Sequence, residues 1–218
     1  VDHDAPLRND AEQALGGQSL DRLAGRAQRA ADEMGELLLV SVSCDGTKGN
    51  RQSWYPFLSE DGSSVAFHSD ASNLVITDTN SLMDVFVYDR DTVVTELVSM
   101  ASDGVTQGNG SSSATSQAAI SADGRYVAFK STATNLVPGD TNGQTDIFVY
   151  DLKLKTTERV NIGVAGQQAN SYSSVSGITE GGRFVVFDSA ASNLVTGDTN
   201  SRQDIFVRDR YLQQTVRV

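Results

Sequence analysis

Oxygen donors recur in this sequence at one fixed spacing. Asp140, Asn142 and Asp146 stand at positions one, three and seven of DTNGQTDIFVYD, a tight loop that runs straight into an apolar stretch. Carboxylate and carboxamide oxygens so placed suit calcium, with a backbone carbonyl or water completing six or more ligands. The loop is no EF-hand, since it lacks the acidic third position, the glycine at the sixth and the bidentate glutamate at the twelfth. A second reading needs no ion: Asp and Asn side chains bond nearby N–H groups and hold turns by themselves. The same pattern appears as DTNSLMDVFVYD, with Asp78, Asn80 and Asp84, and as DTNSRQDIFVRD, with Asp198, Asn200 and Asp204. A motif carried by every copy belongs to the repeating unit rather than to one active site. The loops are therefore assigned to structure, with no cofactor required, and calcium is kept as the ion these nine residues would take.

Other chemistry is harder to assemble. The chain has two histidines, His3 and His68. His68 aligns with Lys130 and Asp188 of the other copies, which marks a surface position accepting any residue type. The single cysteine, Cys44, falls in a turn and aligns with Ser102, with no histidine placed to activate it. No Gly-x-Ser-x-Gly elbow, Walker loop or paired Cys/His spacing is present, and among 28 carboxylates no acidic pair stands out. No catalytic residue is assigned, and the sequence leans away from an enzyme. The copies differ most in the connection before each unit, GNRQSWY, GNGSSSATSQ and ANSYSS. Trp54, Tyr55 and Tyr172 lie there, aromatics that either seal one unit against the next or stack on a sugar or a partner.

The elements that must position these residues repeat as well. From Asp78 to Asp140 is 62 residues and from Asp140 to Asp198 is 58. EDGSSVAF, ADGRYVAF and EGGRFVVF recur upstream, and SNLV, TNLV and SNLV between. A period of this size marks a solenoid, propeller or array. In the middle copy, Arg125 to Phe129 follows an Asp-Gly turn and reads as a strand, Asp146 to Tyr150 as a strand covered on both faces, and Thr156 to Ile162 as one nearer solvent. Ala118 to Ser121 matches Tyr55 to Ser59 and Gly177 to Thr179 as the first strand. Four antiparallel strands in about 60 residues predict an all-β fold of propeller blades. SADGRYVAFKSTATNLVPGDTNGQTDIFVYD resembles the repeat of TolB-like propellers, bacterial relatives of the WD-type family, over about Leu37 to Val218. That resemblance implies a periplasmic or extracellular location and fixes no activity, because propellers host scaffolds, hydrolases and lectins alike.

Residues 1–36 carry no repeat. Leu20, Leu23, Ala24, Ala27, Ala30, Ala31 and Met34 fall at helical spacing before Gly35, which predicts a helical appendage to a three-blade module at 37–218. Net charge is -11 without a basic cluster, which argues against nucleic acid, and no apolar run reaches the roughly 18 residues of a bilayer span. Val98, Val160 and Val218 are equivalent, and Val40 stands one period earlier, so Leu39 to Ser43 is expected to form an additional fourth-type strand. Three blades do not close a ring of about 4 to 8. Read as complete, the chain would close a six-bladed ring as a homodimer; otherwise the natural protein continues past Val218. The expected function is a non-catalytic binding or scaffold protein with a protein or glycan ligand. The alternatives are an extracellular polymer hydrolase or lyase with its site in the channel, and a calcium-stabilised structural module.

Overall fold

The computed structural model describes residues 38–113 and 119–218. The helical appendage expected at 1–36 lies outside the described residues. The remainder forms three antiparallel sheets in chain order. The first holds β1 (Ser53–Leu58), β2 (Ser64–Ser69), β3 (Asp84–Asp89) and β4 (Val94–Leu97). In the second, β7 (Tyr126–Ser131), β8 (Asp146–Asp151) and β9 (Thr156–Arg159) follow a first strand in two pieces, β5 (Ser112–Ser113) and β6 (Ala119–Ile120), both paired with β7. The third holds β10 (Ser173–Ile178), β11 (Phe184–Ser189), β12 (Asp204–Asp209) and β13 (Gln214–Arg217). Among the described residues the only helical turns are two short 3-10 segments, Val164–Gly166 and Glu180–Gly182.

Alternation along the strands explains how the sheets pack. Residues directly opposite one another share a face, so Phe67, Phe86, Tyr88 and Leu97 form one face of the first sheet, while Ala66, Val85, Val87 and Glu96 form the other. We call these the front and back faces. The front-face phenylalanines pair in every sheet, Phe67 on Phe86, Phe129 on Phe148 and Phe187 on Phe206, with ring centroids 5.8, 5.9 and 5.6 Å apart. The back face of each sheet meets the front face of the next. One apolar cluster joins Ala66, Val85 and Val87 to Val127, Phe129, Phe148 and Tyr150, and a second joins Ala128, Ile147 and Val149 to Val185, Phe187 and Phe206. Fully burying such a side chain contributes about 1.5–3 kcal/mol, so these two seams dominate the core. Acids on the back faces fasten their rims: Glu96 accepts from Tyr150 and pairs with Lys155, and Glu158 pairs with Arg210.

Polar contacts repeat with the same register. Ser53, Ser112 and Ser173 each bond the serine opposite, Ser69, Ser131 and Ser189. The SNL and TNL signatures are clasps: Asn73, Asn135 and Asn193 accept from the backbone of Asn50, Asn109 and Asn170 and donate to the carbonyls of Lys48, Gln107 and Gln168. Thr95, Thr157 and Thr215 donate to the carbonyls of Val42, Met100 and Ile162, tying each sheet to the segment that precedes it.

Two expectations need correction. Leu39 to Ser43 is not a strand: Val42 makes a single bridge to Lys48 before the chain turns back. The fourth strands likewise stop at Leu97 and Arg159, because the Met100 and Ile162 N–H groups turn back onto the Val98 and Val160 carbonyls. The two ends of the row also differ. The front face of the first sheet is buried, with Val40 and Val42 packed in its cluster. On the back face of the third sheet, Ile205 is 54% and Val216 52% exposed, whereas the equivalent Ile147 is 0% exposed.

Candidate functional site

Each DTN loop sits where a sheet's second strand hands over to its third. The asparagine makes the turn: the Asn80, Asn142 and Asn200 side-chain oxygens accept from the N–H of Leu82, Gln144 and Arg202. A bond of this kind holds a turn by itself. The fourth loop position takes left-handed backbone in all copies, at Ser81, Gly143 and Ser201.

The aspartates of each loop converge, and what lies between them differs by sheet. In the second sheet Arg159 reaches in from β9, placing Nη1 3.1 Å from Asp140 and 3.3 Å from Asp146. Asn161 and Asn142 donate to the Asp146 carboxylate as well. In the third sheet Arg217 repeats this, with Nη1 3.0 Å from Asp198 and 3.6 Å from Asp204, while Asn200 donates to Asp204. In the first sheet the same position is Leu97, and among the described residues no guanidinium pairs with these aspartates. Gln107 fills the bridging role with a neutral amide, its Nε2 3.0 Å from Asp78 and 3.0 Å from Asp84. Ser99 donates to the other oxygen of Asp84 at 2.6 Å.

The electrostatics follow the partners. Burial raises Asp84 to about 6, opposed by the Ser99 hydrogen bond and reinforced by the charge of Asp78. Burial and the charge of Asp146 raise Asp140, and Arg159 opposes them. Among the described residues no group of three or more His, Cys, Asp or Glu side chains is placed to hold a metal. Arg159, Arg217, Gln107 and Ser99 were not singled out from the sequence. The signal for the two arginines was present in the phasing, as the column Leu97, Arg159, Arg217 just before the equivalent valines.

The remaining candidates separate. His68, expected at the surface, is buried with Trp54 and Tyr55 against its ring, 5.6 and 5.0 Å away between centroids. Tyr55 itself sits at a bulge with φ 50 and is exposed, as are Phe57 and Leu58 on the same strand. Tyr172 is exposed and donates to Gln203. Cys44 lies exposed in a turn.

No protein-family profile matches the sequence, and a search of curated proteins finds no match. Solved structures with a similar arrangement include TolB from Acinetobacter baumannii, at 16% identity over 91% of this chain with a TM-score of 0.45. They also include a protein designated TolB from Agrobacterium tumefaciens, at 18% identity over 76% of this chain with a TM-score of 0.44. The propeller domain of the Trilobed protease from Pyrococcus furiosus, described as having an open velcro topology, aligns at 12% identity over 76% of this chain with a TM-score of 0.45. The chain spans about half or less of each, 47%, 48% and 41%.

Proposed function

We propose that this chain is a non-catalytic binding module that works outside the cytoplasm, in keeping with the resemblance of its repeat, and that associates with a second copy of itself. The observation that carries the reading is the uncovered back face of the third sheet. Inside the chain such a face meets a sheet twice, and both times the contact is fastened by an acid, Glu96 or Glu158, that holds a cation or hydroxyl of the next sheet. The third sheet has Val216 at that position, beside Val207 and in line with the exposed Ile205. An apolar residue in place of the fastening acid suits an apolar partner, and an isologous dimer brings the same patch to itself.

Light scattering on a sizing column tests the association. A mass near twice 23.3 kDa is expected, falling to the monomer in Ile205→Asp and in Val216→Asp. A wild-type monomer at micromolar concentration would overturn the reading, as would a dimer that both substitutions leave intact. In addition, no turnover of glycan or peptide substrates is expected from the full chain, and a saturable turnover would replace the non-catalytic reading with the hydrolase or lyase alternative.

A further inference from the structure

We propose that Asp78 and Asp84 of the first sheet form a calcium site, at the place where the second and third sheets put an arginine guanidinium. The three copies act as internal controls. In two of them the carboxylate pair holds a cationic nitrogen, Arg159 Nη1 at 3.1 and 3.3 Å and Arg217 Nη1 at 3.0 and 3.6 Å. In the first copy Leu97 ends at its Cδ atoms, short of the reach of an arginine, and among the described residues no cation pairs with either aspartate. The pair is nonetheless buried, Asp78 at 7% and Asp84 at 0% exposure. Buried charge calls for a partner of opposite sign, and an unpaired one is costly.

The second observation is independent of the comparison. Asp78 Oδ2 is buried with no hydrogen-bond partner; Asp140 Oδ1 of the second copy shares that state but has the Arg159 guanidinium 3.1 Å away, which Asp78 lacks. The other three carboxylate oxygens of the pair are held by neutral donors, Gln107 Nε2 between the two carboxylates and the Ser99 hydroxyl on Asp84. A divalent ion matches the double negative charge, and its ligands would be hard oxygens: Asp78 Oδ2, the Asp84 carboxylate and water. Calcium tolerates such an irregular set, whereas magnesium demands near-octahedral geometry. Entry of the ion displaces the Gln107 amide, a neutral donor, from between the carboxylates. The loops of the second and third sheets, already holding a guanidinium, would not bind, so the expectation narrows from nine candidate residues to one pair.

Calorimetric titration of the full chain with calcium chloride, at constant ionic strength and with magnesium chloride as control, is the test. A single calcium ion per chain is expected, with a melting temperature that rises as calcium is added. Both effects should be lost in Leu97→Arg, which builds the arginine of the sister copies, and in Asp78→Asn, which removes charge while keeping shape. The second variant decides the matter should the first fail to fold. Absence of calcium binding by the wild type overturns the proposal. So does binding of three ions per chain, or full binding retained by Asp78→Asn.

Discussion

At the scale of single residues, the arginine inside each loop governs stability according to its burial. Arg159, with 9% of its side chain exposed, lies between carboxylates at 3% and 0%. Arg159→Leu, which copies the first sheet, leaves two buried carboxylates without their cation and should cost about 3–5 kcal/mol. Arg217 is 35% exposed, so Arg217→Leu should cost about 1 kcal/mol or less. Urea unfolding of the two variants checks this, and equal losses would sink the explanation. At the turn between β12 and β13, the hydrogen bonds from Arg183 hold Asp209 down at about 2. Its contribution to stability is present above the ordinary carboxylate range near 3.8 and is lost as pH falls toward 2. In Arg183→Ala the Asp209 titration, followed by carboxyl NMR, should move up toward 3.8; an unmoved midpoint would show that the backbone bonds from Tyr211 and Leu212 suffice. The aspartates and asparagines of these loops were legible in the sequence because their spacing is local. The arginines were not, since each meets its carboxylates from a strand 13 to 19 residues away, and such a meeting is set by the pairing of strands.

Among the elements, the third strands were read correctly because DVFVYD and DIFVYD are apolar on both faces, as burial between two neighbours demands. The first strands were read too short. Their opening residues are serines, which local rules assign to loops, yet Ser53, Ser112 and Ser173 are held by the serine across the ladder. Turns offer two further tests. Gly182 has φ +68, and a Cβ there would fall 2.6 Å from the Tyr126 ring of the preceding sheet. Gly182→Ala should therefore cost about 2–4 kcal/mol, combining the backbone penalty with an overpacked seam. Gly181→Ala, in the same turn with φ +66 and open space around it, should cost only the backbone part, about 1–2 kcal/mol. Thermal melts of the pair separate the two causes, and equal shifts would refute the packing argument. Conversely, Ser201 holds φ 54 at the loop position where the second sheet has Gly143. Ser201→Gly should raise stability by about 0.5 kcal/mol, the relief of left-handed strain less the added chain entropy, and a lower melting temperature would contradict it.

For the molecule as a whole, the period of the sequence revealed how many sheets there are and in what order, because each sheet is completed within its own repeat. It did not reveal which ends are covered. That depends on contacts between copies: the front face of the first sheet proves buried, while the back face of the third, which is apolar like the buried back faces of the other two and has Val216 in place of the acid, does not. Molecules of this kind hold together through nearest neighbours, so the stability of a unit is its own plus that of the seams it shares. Among the described residues the second sheet shares two seams and the third one. The third sheet should accordingly open first, and amide hydrogen exchange should register it as a gradient along the chain. In a dilute sample the β12 amides should exchange several-fold faster than those of β8, although the two strands carry almost the same sequence, and they should slow as the protein is concentrated and the copies meet.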